Sequence, residues 1–319
     1  MLIIVIAIIV IASIALTIAL QLLIPSPLSI FTPPTPYIAL IELHGTIDYE
    51  QPLFSGSTIT PKTVSELVNK ILSDPYAKAV VVVVNSPGGT MAAFEIYSIL
   101  KKLSSEKIVI VYITNIAASG GYLIALPARE IIANPSATIG SVGAIATIIN
   151  VHNLLQKLGI NVTIVKSGEL KDVGSMYRET TETDIETIKS LVDSIANEFI
   201  EKVIECRGNK IKNISEIRRA GVYPAREAKE LGLIDDIGDL DYAINRARQL
   251  AGLPPTTPIK RIEPTKPSLL DIILGRVETQ VTPTPRTPRS IEILLIWPPQ
   301  DYALDIALRY GITTEIVAR

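Results

Sequence analysis

Two kinds of hydrophobic pattern alternate along this chain. In PKTVSELVNKIL (61–72) and MAAFEIYSILKKL (91–103) apolar positions recur every three to four residues, as on the buried face of a helix. YIALIEL (37–43), AVVVVVNSPGG (79–89) and KIVIVYITN (107–115) are instead continuous apolar runs without two-residue alternation. Such runs predict strands buried on both faces, the mark of a parallel sheet covered by helices. EIIANP (130–135) predicts a further short strand and TIGSVGAIATII (138–149) an apolar strand region. A helix is expected around Val151–Leu158 and a strand at NVTIV (161–165). Thr181, with Asp184 three residues on, reads as a helix start. Ile185, Ile188, Leu191, Val192, Ile195, Phe199 and Val203 then form one face of a long amphipathic helix. Residues 226–252 read as helix, turn, helix, so 37–253 predict one α/β domain.

The flanks have other patterns. From Met1 to Ile24 the only polar side chains are Ser13, Thr17 and Gln21, and the first charged one is Glu42. A helix over 1–24 would be about 36 Å long, enough to span a bilayer core. It lacks the basic start and small-residue cleavage site of a signal peptide, so an uncleaved, single-pass anchor is expected. No Lys or Arg flanks it to set its orientation. Residues 25–36 (PSPLSIFTPPTP) read as an extended stalk. Residues 254–290 are linker-like, with a short apolar helix candidate at Ser268–Leu274. The tail, 291–319, opens on IEILLIW, which has strand character and needs a partner surface.

Composition narrows the chemistry. A net charge of −2 offers no basic face for nucleic acid. The single cysteine, Cys206, excludes an intrachain disulfide. His44 and His152 stand alone, without metal-ligand spacing, so neither a metal site nor another cofactor is expected.

Two glycine-rich turns follow two of the buried strands: NSPGGT (85–90) and NIAASGGY (115–122). Turns at the carboxyl ends of parallel strands are where ligands and catalytic groups collect. Ser119 has small residues on both sides, which a nucleophile on a sharp strand-to-helix turn requires. A helix N-cap explains the same serine equally well. A nucleophilic serine needs a base. His44 and His152 are the candidates for a histidine triad, although both lie near apolar stretches. A lysine serves only if its environment brings its pKa down from about 10.4 towards neutrality. Lys166 and Lys171 follow a predicted strand beside glycines, and spacing alone does not choose between them.

At these residues the chain resembles the signal peptide peptidase A family in its short, single-copy form. The elements NSPGGT, AASGGYLIA, TIGSVGAI, SGELKDVGS and YPAREAKELGLIDDIG occur in order. The resemblance implies a Clp- and crotonase-like fold with a largely parallel sheet, Ser119 as nucleophile and Lys171, rather than Lys166, as general base. It also implies oxyanion donors at Gly120 and at Gly88 or Gly89. Pro224-Ala225 and Pro127-Ala128-Arg129 depart from the usual family residues without touching the expected chemistry. The resemblance further implies a homo-oligomeric ring with Ser and Lys from adjacent subunits, and hydrophobic peptides such as cleaved signal peptides as substrates. The catalytic domain is expected outside the cytoplasm, an orientation with which the sequons at Asn161 and Asn213 agree. The rival readings are a crotonase-like acyl-CoA enzyme, a non-catalytic membrane scaffold, and the membrane Clp-class proteases that partner stomatin-like proteins. The first would need an acidic catalyst in place of Ser119, and the last match AASGGY less well.

Overall fold

The continuous apolar runs form the centre of a parallel sheet in the computed structural model. It describes residues 35–50, 57–265 and 291–296, with a few helical positions between 6 and 17. In chain order the domain runs β1 (Tyr37–His44), β2 (Thr46–Ile47), β3 (Thr58–Ile59), α1 (Pro61–Ser73), β4 (Ala77–Ser86), β5 (Gly88–Gly89), α2 (Ala92–Glu106) and β6 (Ile108–Ala118). There follow α3 (Gly120–Ala125), β7 (Glu130–Ala133), β8 (Thr138–Gly140), β9 (Ile145–Ile148), α4 (His152–Lys157) and α5 (Glu182–Arg207). The remainder is α6 (Ile214–Ile217), β10 (Val222–Pro224), α7 (Ala225–Leu231), β11 (Asp236–Ile237), α8 (Leu240–Leu250), β12 (Ile259–Arg261) and β13 (Ile291–Ile296).

The larger sheet has the order β10-β8-β6-β4-β1-β12, with β7 also on β6 and β11 on β7. All its pairings are parallel except β10 with β8. Its central strands carry long unbroken apolar runs because they feed two cores. Val80, Val82 and Val84 of β4 face a layer with Leu67, Ile96, Phe199 and Val203 from the helices. Ala79, Val81 and Val83 face the other layer, closed by Ala243, Ile244 and Ala247 of α8. Helix starts follow their local signals. The Thr60 hydroxyl accepts from the Thr63 N–H before Pro61, and Thr181 and Asp184 close a reciprocal capping box on α5.

Several expectations change. Residues 161–165 form no strand. No neighbour among the described residues pairs with them, and Val165 is 94% exposed. The 138–149 region splits into β8 and β9, which join different sheets. The turn within 226–252 contains β11, and β12 lies inside the region expected to be linker, adding an edge strand to β1. The tail strand does find a surface: β13 completes a five-stranded sheet of order β3-β2-β5-β13-β9. The stalk core at 25–34, the Ser268–Leu274 candidate and the tail beyond Ile296 lie outside the described residues, as does most of the expected anchor. Among the described residues no helix is long and apolar enough to cross a membrane. Met1–Pro36 and Tyr37–Arg319 are separate units.

Ile113, fully buried at the site end of β6, tests this core. Ile113→Ala should cost about 2–5 kcal/mol in denaturant unfolding, because the cavity adds to the lost burial.

Candidate active site

Parallel, adjacent β4 and β6 end at the same edge of the sheet and bring the two glycine-rich turns together. The register slips near the ends, from Val84 opposite Ile113 to Ser86 opposite Ala117. Past that slip β6 exchanges its outer neighbour, pairing β7 through Ile110–Ile113 and β8 through Ile116–Ala118. A crevice where a strand changes neighbours is a natural seat for chemistry.

Ser119 occupies the step from β6 to α3 at φ 53° and ψ −122°. Side chains seldom adopt such a backbone, and strain of this kind collects at working sites. The Ser119 N–H donates to the Gly140 carbonyl at 2.7 Å, and its carbonyl accepts from the Tyr122 and Leu123 N–H groups at 2.9 and 3.0 Å. Gly140, at φ +122°, meets the Gly221 carbonyl and the Tyr223 ring on the side where a Cβ would sit, which accounts for the glycine of TIGSVG. Although Ser119 is only 1% exposed, its hydroxyl makes no capping bond and no other hydrogen bond among the described residues. Capping therefore does not explain this serine. Behind it, fully buried Tyr122 donates its hydroxyl to the Leu233 carbonyl at 2.7 Å, and burial raises that phenol above its usual pKa.

The two turns touch through backbone. A Cβ on Gly121 would run into the Ser86 carbonyl. Ser86 is buried, and its hydroxyl accepts from the Gly88 N–H at 3.1 Å. Gly88 is thus engaged internally, whereas the Gly120 N–H, at the helix start, has no partner among the described residues. Gly89 pairs with Ile47 of β2 on one side and with Leu295 of β13 on the other. Beyond Leu295, Ile296 pairs with Gly88, while Ile291 to Leu294 run antiparallel to Ile148 to Ile145 of β9.

The candidate bases separate clearly. His44 ends β1 with its Nε2 buried and without a hydrogen bond. His152 opens α4, its ring engaged by the Tyr177 carbonyl at 3.0 Å and Gln156 at 2.9 Å. Neither histidine bonds Ser119. Lys166 is held by the Glu169 carbonyl at 2.8 Å and by Asp172 at 2.6 Å. Lys171 lies on the short 3-10 turn Glu169–Asp172, exposed, its ammonium unpaired among the described residues. Within one chain no hydrogen bond joins Lys171 to Ser119.

Sequence reasoning missed Ser86 and an ion-pair cluster around Arg178. The Arg178 guanidinium donates to Asp172 through Nε at 2.8 Å and through Nη2 at 3.1 Å, and to the Asp172 carbonyl at 3.0 Å. It also donates to both Asp184 carboxylate oxygens. Arg178, first of all, holds both carboxyls well below the usual aspartate range, and they in turn raise the guanidinium. The available signal was a single arginine midway between Lys171-Asp172 and the Thr181–Asp184 cap.

A model described as peptidase family S49 matches residues 101–254. A putative protease of Synechocystis is 33% identical over 245 residues, covering 76% of this chain and 85% of that protein. The chain belongs to peptidase family S49. It is a serine protease of the signal peptide peptidase A type. A putative protease of Methanocaldococcus jannaschii is 34% identical over 188 residues, 59% of this chain and 60% of that one. A putative signal peptide peptidase of Enterococcus faecium is 32% identical over 215 residues, 66% of this chain and 62% of that one. Ser119 and Lys171 lie inside the stretch matched to the S49 model, and Gly88 and Gly89 lie before it.

The backbone contact at Gly121 gives a direct test. Gly121→Ala must push α3 away from Ser86, at an overpacking cost of about 1–3 kcal/mol. A lowered Tm together with loss of Ser119 labelling by a fluorophosphonate is expected; normal labelling would show that the close approach is dispensable.

Proposed function

We propose that this S49 protease is a membrane-anchored endopeptidase working through a Ser119–Lys171 dyad on apolar peptides such as cleaved signal peptides. The carrying observation is Ser119 itself: a strained, buried serine with an uncommitted hydroxyl at a strand-to-helix turn. Lys171 takes the Ser119 proton as Oγ attacks the peptide carbonyl carbon. The Gly120 N–H and a glycine N–H of β5 hold the developing oxyanion, a donor of this kind being worth about 2.7–4 kcal/mol. Lys171 returns the proton to the departing amine, and water then hydrolyses the acyl-enzyme.

The second half of the dyad comes from a neighbouring copy. Lys171 is not bonded to Ser119 of its own chain, and its surroundings expose apolar side chains that a monomer would bury: Leu154, Leu158, Ile160, Val165, Ile185 and Leu191. Substrate enters as an added strand. The edge of β5 already accepts an extended apolar segment of this chain, β13, running on to β9. Main-chain pairing of that kind holds a peptide without demanding a particular side chain. The apolar segment 1–24 supports membrane anchoring, with the catalytic domain extracytoplasmic, and the Enterococcus relative's designation as a putative signal peptide peptidase supports the substrate class.

Ser119→Ala and Lys171→Ala should each lower peptidase activity by at least about a thousandfold. Assemblies mixed from the two variants should regain activity, because some junctions then unite an intact serine with an intact lysine. Mixed assemblies that stay inactive would refute the shared dyad. Shortening the chain to residue 290 should empty the strand position beside β5, lowering KM for an apolar peptide severalfold. Added IEILLIW peptide should restore the inhibition. An unchanged KM would place substrate elsewhere.

A further inference from the structure

We infer that Arg178 is a positioning residue for Lys171, fixing the turn that carries the lysine to the head of α5. The inference rests on Lys171 being the base, and it concerns how an exposed lysine keeps a defined place. Lys171 sits on a four-residue 3-10 turn, Glu169–Asp172, that buries no side chain of its own. Of the preceding residues 160–165 all but the half-buried Ile164 are exposed, and none pairs with a strand among the described residues. Packing does not hold this turn, so polar contacts must.

Those contacts converge on one guanidinium. Arg178 forks onto Asp172, the residue after Lys171, taking both carboxylate oxygens and the backbone carbonyl. Its remaining face grips Asp184, which is 1% exposed and anchored by its own helix. Asp184 accepts from the Thr181 N–H at 2.8 Å and from the Thr181 hydroxyl at 2.9 Å. The ionised carboxylate also lies in the first turn of α5, where the helix dipole favours negative charge. Arg178 is in turn held by its neighbours: Met176 and Tyr177 carbonyls accept from the Val151 N–H at 2.9 Å and the His152 ring at 3.0 Å. Lys166 closes the other side of Asp172 at 2.6 Å.

Two consequences follow for the lysine. Its turn acquires the rigidity of a 26-residue helix through three charge-assisted bonds. Asp172, the nearest carboxylate in sequence, is fully engaged by Arg178 and Lys166 and is not drawn into a local ion pair with Lys171. Lysine in place of Arg178 has no planar fork and reaches one carboxylate at a time.

The test uses the full chain and a fluorogenic apolar peptide. Arg178→Gln should lower kcat about 100-fold with KM little changed, the size expected when a catalytic group is misplaced by an ångström. Arg178→Lys should recover part of that loss. Asp172→Asn, which keeps the side-chain shape, should show the same split between kcat and KM, and it decides the matter if Arg178→Gln does not fold. Arg246→Gln, which breaks the ion pair with Glu130 elsewhere in the domain, is the control: it should lower Tm without the kcat loss. In mixed assemblies Arg178→Gln should recover with Ser119→Ala and not with Lys171→Ala. Wild-type kcat in folded Arg178→Gln or Asp172→Asn, or recovery with Lys171→Ala, would overturn the positioning role alone. Activity surviving in Lys171→Ala would overturn the base reading and this inference with it.

Discussion

The site depends on two backbone turns lying closer together than any side chain would permit. β4 and β6 deliver the turns to one sheet edge, and the Gly121 backbone then rests on the Ser86 carbonyl. That contact sets the depth at which α3 begins, and Ser119 is the residue that must absorb the resulting bend. The positive φ of Ser119 is sustained because everything around it is fixed. Its N–H is tied to Gly140, its carbonyl caps the next turn, and Tyr122 is locked in the core. Strain persists only where the surroundings over-determine it. Here the doubly buried sheet supplies that rigidity.

Ser119 and Lys171 are held by different physics. Ser119 is placed by apolar packing and backbone ladders, which lose little from thermal motion and depend weakly on salt. Lys171 is placed by an ion-pair frame on a segment with few buried side chains. Arg178 fixes the internal geometry of the lysine segment, while apolar side chains on the segment, Leu158, Ile160 and Val165 among them, stay exposed. A lysine buried in its own core could not reach outward.

The legible parts of the sequence were those whose cause is local. β1, β4 and β6 announced themselves because both faces are buried, and α5 announced its start through Thr181 and Asp184. Ser119 stood out because its small neighbours answer to a backbone constraint. Lys166 and Lys171 were separated on the chain by family resemblance alone; in the structure Lys166 is paired with Asp172. What escaped notice depends on distant partners. NVTIV looks like a strand and has no neighbour among the described residues to pair with. β12 sits in a segment that reads as linker, since an edge strand needs only a partner's free backbone and leaves little trace in its own composition; β13 reads as a strand, and only its partners, β5 and β9, could not be read from it. Arg178 looks like any surface arginine until Asp172 and Asp184 are brought to either side of it.

β13 joins β5 to β9 across the smaller sheet. Without that strand, β5 and β9 would each leave an unpaired edge, and a row of free backbone groups invites another strand. β5 offers only two residues, Gly88 and Gly89, so it pairs through backbone and reads almost nothing of a side chain. The segment the chain places there, IEILL-I, carries one charge in six residues. The pairing there rests on extended backbone rather than on any particular side chain.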